Sequence, residues 1–449
     1  MMIKEFVHKF CLAAREAGIE KLNFYIEENQ RREISVYEDT LEHLSLSEAG
    51  QLSVEGLVDG KAGSVFIENL DESLIPDYLQ CIQETASVSS DDFVPYELEG
   101  LSQASAADYR FTDLDATQQA MCDAAKTARA VDARISEGVQ VHASESCKCI
   151  TLADEQEHFA TDVVITGGAG IYLVAREGEQ VQPGGMRRPF TTTLPDLNEL
   201  AQKAAEGAVA RMGAGSHSTG NFPVVLEARV VAELLDAFMP AFFAQNIHSR
   251  MSVLAGRLGE QLTGENISIL EDPHMEGGYC TRHFDDEGVA TQPKAIVDKG
   301  TLSCWLYNRS SAKKMESVSG GNGFKVSFNT TVSTGYTNVY IPGGDHTPDE
   351  LLAQMGNGLL ISSVSGVFAG ARANSGDFSL ISTGYRIENG QRGKAVSQIT
   401  ISGNFFEMLK HVAAIGNDEH WMISTNGNVR TPSLYVTSMV ISGKEQDNA

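Results

Sequence analysis

Positive charge is scarce in this chain: 34 Lys and Arg stand against 60 Asp and Glu, a formal net charge of −26 over 449 residues. A nucleic-acid surface needs clustered Lys and Arg to meet phosphates. No basic stripe is present, so direct DNA or RNA contact is not expected. The acidity favours solubility and repels anionic partners. Long apolar runs are also missing. No stretch nears the roughly 18 residues that a membrane span requires. The N-terminal MMIKEFVHKFCLAAREAG is broken early by Glu5 and no long apolar core follows, so it is not read as an export signal. The seven cysteines (Cys11, Cys81, Cys122, Cys147, Cys149, Cys280, Cys304) are odd in number, which fits reduced thiols in a cytoplasm.

Histidines at helical spacing are absent too. A metallopeptidase helix usually carries two of them one turn apart, with a glutamate beside the first. None of the 11 histidines lies three, four or five positions from another; the closest pairs, His274 with His283 and His411 with His420, are nine apart. A tight helical zinc site is therefore excluded by spacing, while ligands gathered from distant strands stay open. There is no GxSxG elbow and no GxxxxGK[ST] loop. Cys147-x-Cys149 would point both thiols to one face of a strand, but no CxxC accompanies it. Ser319 to Gly323 (SGGNG) resembles a phosphate cradle, yet no helix pattern follows, which favours a mobile loop. The acid clusters Glu271-Asp272 and Asp285-Asp286-Glu287 suit acid/base work or a turn; Asp286-Glu287-Gly288 favours the turn.

What is present reads as α+β: an N-terminal antiparallel sheet with helices, plus a β-rich, barrel- or sandwich-like C-terminal domain. The expected division is 1–212, a small polar linker 213–221 (GAGSHSTGN), and 222–449. Helical spacing covers residues 3–17, with Phe6, Val7, Phe10, Cys11 and Ala14 inward. Several short strands follow from Asn23 to Ile67, with Asp59-Gly60 as a hairpin turn. A helix runs from about Leu74 to Thr85 behind a Ser73 cap, and another to Val131 opens on an Asp115/Gln118 capping box. Residues 87–112 read as a loop. Strands fill Arg134 to Arg176, and a helix spans Leu197 to Met212. Further helices are expected over Ala228 to Met239, ending before Pro240, and over Ile247 to Leu262. Beyond Ile267 only Thr347 to Met355 and Glu407 to Ala414 break the run of strands and turns.

The stretch Ser362 to Gly403 holds seven glycines between short apolar runs, and Asn389-Gly390 is a strong hairpin signal. It reads as antiparallel strands with small residues facing an open cleft, or as plain β scaffold. An extended peptide can bind by adding a strand to an exposed edge. The groove candidates are Ser365, Gly366, Gly370, Asn374, Ser375, Gly376 and Asp377. On this reading Gly376→Val lowers peptide cleavage without unfolding the chain.

A set of motifs then brings a resemblance. Glu271-Asp272-Pro273-His274, Phe284 to Val289, Asp298-Lys299-Gly300, Ser375 to Ser379, Ile387 to Gly390, Ile401 to Asn404 and Thr431-Pro432-Ser433 resemble, in order and spacing, the TldD/TldE family, in its TldE (PmbA) branch. Val58 to Gly63 extends the likeness more weakly into the N-terminal half. The resemblance implies two related subunits that together act as a cytoplasmic zinc-dependent peptidase on unstructured peptides. It implies that the TldD-type subunit carries HExxxH on a helix, plus a cysteine near the C-terminus, and that the TldE-type subunit lacks these ligands and helps enclose the cleft. Here the corresponding helix is ARVVAELLDAF, 228–238, with no histidine, and Ser424 to Asn428 has no cysteine. No catalytic or metal role is therefore carried over to any residue; zinc is expected in a TldD-type partner. The same family has been labelled a modulator of DNA gyrase, which the charge balance does not support as direct DNA contact. The rival readings are a homodimeric peptide-binding scaffold without activity and a self-sufficient hydrolase with dispersed ligands.

Overall fold

The computed structural model describes residues 3–89 and 93–444. Helix α1, Ile3–Glu16, buries the five side chains that its spacing predicts. The period-two region that follows forms fewer and longer strands than expected: β1 Leu22–Tyr37, β2 Thr40–Val58 and β3 Lys61–Ile67. The Asp59-Gly60 turn has φ of 48° and 80°, the left-handed pair that a tight hairpin requires. β4 Gln140–Asp154 and β5 Phe159–Glu177 extend the sheet, and β6 Gln180–Phe190 closes its far edge. The order is β3-β2-β1-β4-β5-β6, with every neighbour antiparallel.

Strand β6 lies outside the sequence expectation, because QVQPGGMRRPF holds two prolines and two glycines. At an edge a proline costs no ladder bond, which is why the strand survives there. Helix α2, Ile75–Val88, has Leu74 as its N-cap and no side-chain cap; Asp71, not Ser73, holds the preceding turn by accepting from Ser73 N. Helix α3, Leu114–Val131, is capped by Asp113, two residues before the expected Asp115. Helix α4, Leu197–Ala210, is capped by Asp196. One core joins α1 and α2 to the sheet through Phe10, Phe24 and Ile82; a second joins α3 and α4 through Met121, Ile171 and Leu200.

In the C-terminal half five strands close on themselves. β7, Gly220–Leu226, pairs with Leu434–Ser442, then come Gln391–Asn404, Asp377–Glu388 and Gly358–Ser365, which returns to β7 in parallel. The expected 377–404 hairpin is present, with Asn389 and Gly390 at φ 52° and 77°. A second sheet places the short strands Ile269–Glu271, Asn338–Tyr340, Gly427–Thr431 and His420–Ser424 side by side. This is the α+β arrangement expected, with the barrel form of the β-rich half.

Some local expectations fail for visible reasons. The helical spacing at Ile247 to Leu262 gives only Ala244–His248, because Arg250, Gly256 and Gly259 adopt positive φ and break the run. The helix expected at Glu407 to Ala414 is Phe405–Lys410 followed by a strand, Val412–Ile415. Short helices at Arg309–Lys314 and Val367–Gly370 went unread, being under two turns long. The Ser319 to Gly323 loop is packed rather than loose: Asn322 is fully buried, and Lys294 Nζ donates to Gly320 O and Asn322 Oδ1 at 2.8 Å each.

The halves meet through a small mixed core, where Phe284 and Phe328 join Tyr25, Leu98, Ile150 and Leu152. A buried polar knot adds to it. Arg282 Nη2 donates to Asp286 Oδ1 at 2.6 Å, and Asp162 of β5 accepts from His283 N at 2.7 Å.

Candidate functional site

Helix α5, Ala228–Phe238, is the element around which the candidate site is built. Seven of its residues are buried, and six of them, among them Val230, Leu234 and Phe238, share one core with the barrel. Besides Ala237, what remains is a half-exposed polar stripe, Arg229, Glu233 and Asp236, at the i, i+4, i+7 spacing of one helix face. The α-helix stops at Phe238, as Pro240 requires, and a 3₁₀ turn Met239–Phe242 continues it.

The helix start is held from a distance. Its own N-cap, Glu227, makes no side-chain cap bond. Instead Ala228 N donates to Ser433 Oγ at 3.0 Å, while Thr431 Oγ1 donates to Ala228 O at 2.7 Å. Ser433 Oγ in turn donates to Asp418 Oδ2 at 2.7 Å. Thr431-Pro432-Ser433 is thus a clamp that aims α5.

The stripe is self-satisfied. Arg229 Nη2 lies 3.7 Å from Glu233 Oε1, and Tyr336 donates its hydroxyl to Asp236 Oδ1. Burial raises the Glu233 carboxyl above its usual range against the pull of Arg229, and burial raises Glu227 in the same way against Arg392 and Arg229. Beside the stripe, His420 is pushed down to about 4 by burial, with Arg229 and Arg188 adding to the effect. Trp421 meets the Tyr279 ring edge-on at 5.0 Å, and Arg430 sits over Tyr340 at 5.0 Å and Trp421 at 5.5 Å.

A dication needs imidazole, thiolate or carboxylate donors turned toward one point. The α5 stripe begins with a guanidinium, and its two carboxylates are already engaged, so it does not fit such an ion. Among the described residues no group of three or more His, Cys, Asp or Glu is placed to hold a metal. Cys147 and Cys149 lie in β4, and burial raises both thiols, which disfavours the thiolate.

The groove candidates fall into two groups. Ser365 and Gly366 are exposed at the end of the barrel strand Gly358–Ser365, and Gly366 has φ 78° with open space where a Cβ would be. The short helix Val367–Gly370 and the two-residue strand Ala371–Arg372 then run beside α5. Phe368 on that helix is fully exposed at 104%, a residue that the sequence reading did not single out. Asn374, Ser375, Gly376 and Asp377 form the next turn. Its far side is fastened: Asn404 Nδ2 donates to Ser375 O and to Asp377 Oδ1, both at 3.0 Å. Asn404 and then Ser375 hold the Asp377 carboxyl below its usual range.

The glycines here answer to packing more than to an open cleft. Gly376 is buried at φ 84°, with Asn404 Nδ2 2.8 Å from where a Cβ would stand. Gly376→Val therefore strains the turn itself, which corrects the expectation of an intact fold. A Cβ on Gly370 would meet Ser379 O at 2.3 Å, and one on Gly384 would meet Leu360 O at 1.8 Å.

The two acid clusters turn out to be scaffold. Asp285 Oδ1 accepts from Glu287 N and Val289 N at 3.0 and 2.9 Å, the turn that the sequence favours. Glu271 is buried, accepting from Lys294 Nζ at 3.0 Å and Thr337 N at 2.8 Å. His274 and His283, nine apart in sequence, stack with ring centres 5.5 Å apart, and His283 Nδ1 lies 2.9 Å from Asp162 Oδ1.

A closed five-strand barrel fused to an antiparallel helix-covered sheet, with a clamped helix facing a glycine-rich strand end, defines the class of protein. A sequence profile for the PmbA/TldA metallopeptidase C-terminal domain matches residues 219–443. The chain belongs to the PmbA/TldD family. It is 30% identical over 268 residues to Metalloprotease PmbA of Escherichia coli O157:H7, covering 58% of this chain and 56% of that protein, about half its length. With the Metalloprotease PmbA homolog of Haemophilus influenzae it shares 26% over 434 residues, 90% of this chain and 88% of that one. TldE from Thermococcus kodakarensis has the same fold, with a TM-score of 0.86 at 18% identity, over 97% of this chain and all (100%) of that one. So does a protein described as a candidate modulator of a DNA gyrase from Thermotoga maritima, at 0.84 and 24%, over 98% and 100%. Among the described residues no helix is long and apolar enough to cross a membrane.

Proposed function

We propose that this chain is the TldE/PmbA-like subunit of a two-component, cytoplasmic zinc metallopeptidase acting on unstructured peptides. A TldD-type partner supplies the zinc and the catalytic helix; this chain shapes the substrate cleft. The observation that carries the reading is the outer stripe of α5. At the place where the catalytic relatives would present HExxxH, it offers Arg229, Glu233 and Asp236, paired among themselves and with Tyr336. A guanidinium at that place repels a dication, so this chain's helix is suited to lining a cleft rather than to activating water.

The peptide would lie along the path from Ser365 to Arg372, beside α5. The strand Ala371–Arg372 lies at the sheet edge and pairs with Asp377–Glu388 on one side, at Phe378 and Asp377. Ala371 N already donates to Val367 O, and Arg372 O accepts from Ser375 N and Gly376 N, so an added strand there would have to displace those local bonds. Main-chain pairing gives affinity with little sequence preference, as unstructured substrates require. On this reading residues 1–212 and 222–449 act as two domains joined by 213–221.

The test is purification of the chain alone and with a TldD-type partner bearing HExxxH, followed by zinc analysis and cleavage of an unfolded peptide. Sub-stoichiometric zinc and no cleavage alone, with cleavage on mixing, support the reading. Stoichiometric zinc and turnover in the lone chain would overturn it, and no gain on mixing favours a homodimeric peptide-binding scaffold.

A further inference from the structure

A further concavity lies where the linker crosses the barrel. It has a volume of about 440 Å³ and is walled by the linker residues 213–216 and by the 385–396 turn of the hairpin, with Tyr385, Arg386 and Lys394 among its lining. That volume is in the range of small-molecule sites. Its position is fixed: Ser397 N donates to Gly215 O at 2.8 Å, tying linker to hairpin.

Its charge is what sets it apart. Arg386 Nη2 donates to Ser216 O at 3.2 Å, and the rest of its guanidinium has no partner among the described residues. Lys394 is exposed and has no carboxylate within ion-pairing range among the described residues, whereas the neighbouring Arg392 reaches Glu227 at 3.8 Å. In a chain of net charge −26, two cations left without acids on one concave wall reverse the local field. The bland alternative is a pair of solvated cations. Against it stand their convergence on a walled space and the small residues Gly213, Ala214 and Gly215 that leave that space open.

The geometry points to an anion site that takes a small phosphate-bearing molecule, held by Arg386 and Lys394 between the linker and the hairpin. A guanidinium presents parallel donors that match phosphate oxygens, and an ammonium adds a point charge. A ligand there would bridge the segment joining the two halves to the barrel. The site is independent of the peptidase reading.

Titration calorimetry of the full chain tests it, with inorganic phosphate, pyrophosphate, ATP and glutamate as probes. At least one phosphate probe is expected to bind with a dissociation constant below about 1 mM. Lys394→Gln should weaken it about tenfold, as should raising the ionic strength to about 0.5 M. The most tightly bound probe tells whether the phosphate alone or an attached organic group is recognised. The Lys394 side chain is exposed and makes no hydrogen bond among the described residues, so the substitution leaves the fold intact, which a thermal melt checks. The proposal is overturned if no phosphate probe binds, if Lys394→Gln binds as well as the native chain, or if glutamate binds as tightly as phosphate.

Discussion

Single side chains here aim elements across long stretches of sequence. Ser433 is the clearest case, since its hydroxyl stands in for the cap that α5 lacks and is itself oriented by Asp418. Ser433→Ala should cost about 1 kcal/mol, the usual worth of a lost cap. Chemical denaturation reads this as a lower midpoint, and on the proposed two-component reading cleavage on mixing with a TldD-type partner should fall with it. Arg32 and Glu145 are a second case. Both are buried, joined by a bond of 3.0 Å from Nε, with Thr112 N also donating to Glu145 at 2.9 Å. Removing one partner strands a charge away from water. Glu145→Ala should destabilise by about 3–5 kcal/mol, and Arg32→Met together with Glu145→Leu by much less. Equal losses in the single and double variants would show that packing, not charge, is at stake. Glu145 does not stand out in sequence, and Ser433 does so only as part of the Thr431-Pro432-Ser433 motif, with no sign of what it holds, because their partners lie 113 and 205 positions away.

Among the elements, the glycine-rich stretch shows how far pattern reading goes. Its hairpin was legible because Asn389-Gly390 carries its turn type in two residues. The reason for its other glycines was not legible. Gly384 allows the strand Asp377–Glu388 to approach Leu360 O across the barrel seam, and no spacing rule announces that approach. Gly384→Ala should cost about 3 kcal/mol or more by overpacking the seam. Gly366→Ala, in open space but at φ 78°, should cost only about 1 kcal/mol. Comparison of the two unfolding midpoints checks the assignment; a larger loss at Gly366 would contradict it. Strand β6 marks the opposite limit, where proline and glycine hid a strand that an edge position tolerates.

For the whole molecule, the joint between the halves should be the acid-stable, base-sensitive part. Burial pushes the Asp285 carboxyl up to about 6 from 3.8, and burial and then Asp285 push Glu287 up to about 8 from 4.5. In the folded chain these acids hold protons more tightly than in the unfolded one. Their contribution is full below about pH 4 and is lost as pH rises through 6 and then 8. The thermal midpoint should therefore drop between about pH 4 and pH 8, and Glu287→Gln should flatten the part of that drop above pH 6. A midpoint that rises over this interval would show that another set of groups governs the joint.

By itself the sequence determined the class of fold, the family, the helical faces, the tight turns and the lack of paired histidines on α5, because these are written in residues a few positions apart. Only the tertiary structure decided that five strands close into a barrel, that Ser433 aims α5, that Gly376 is packed rather than open, and that Arg386 and Lys394 face one cavity. Each of those depends on groups distant in sequence becoming neighbours, and local spacing holds no record of such meetings.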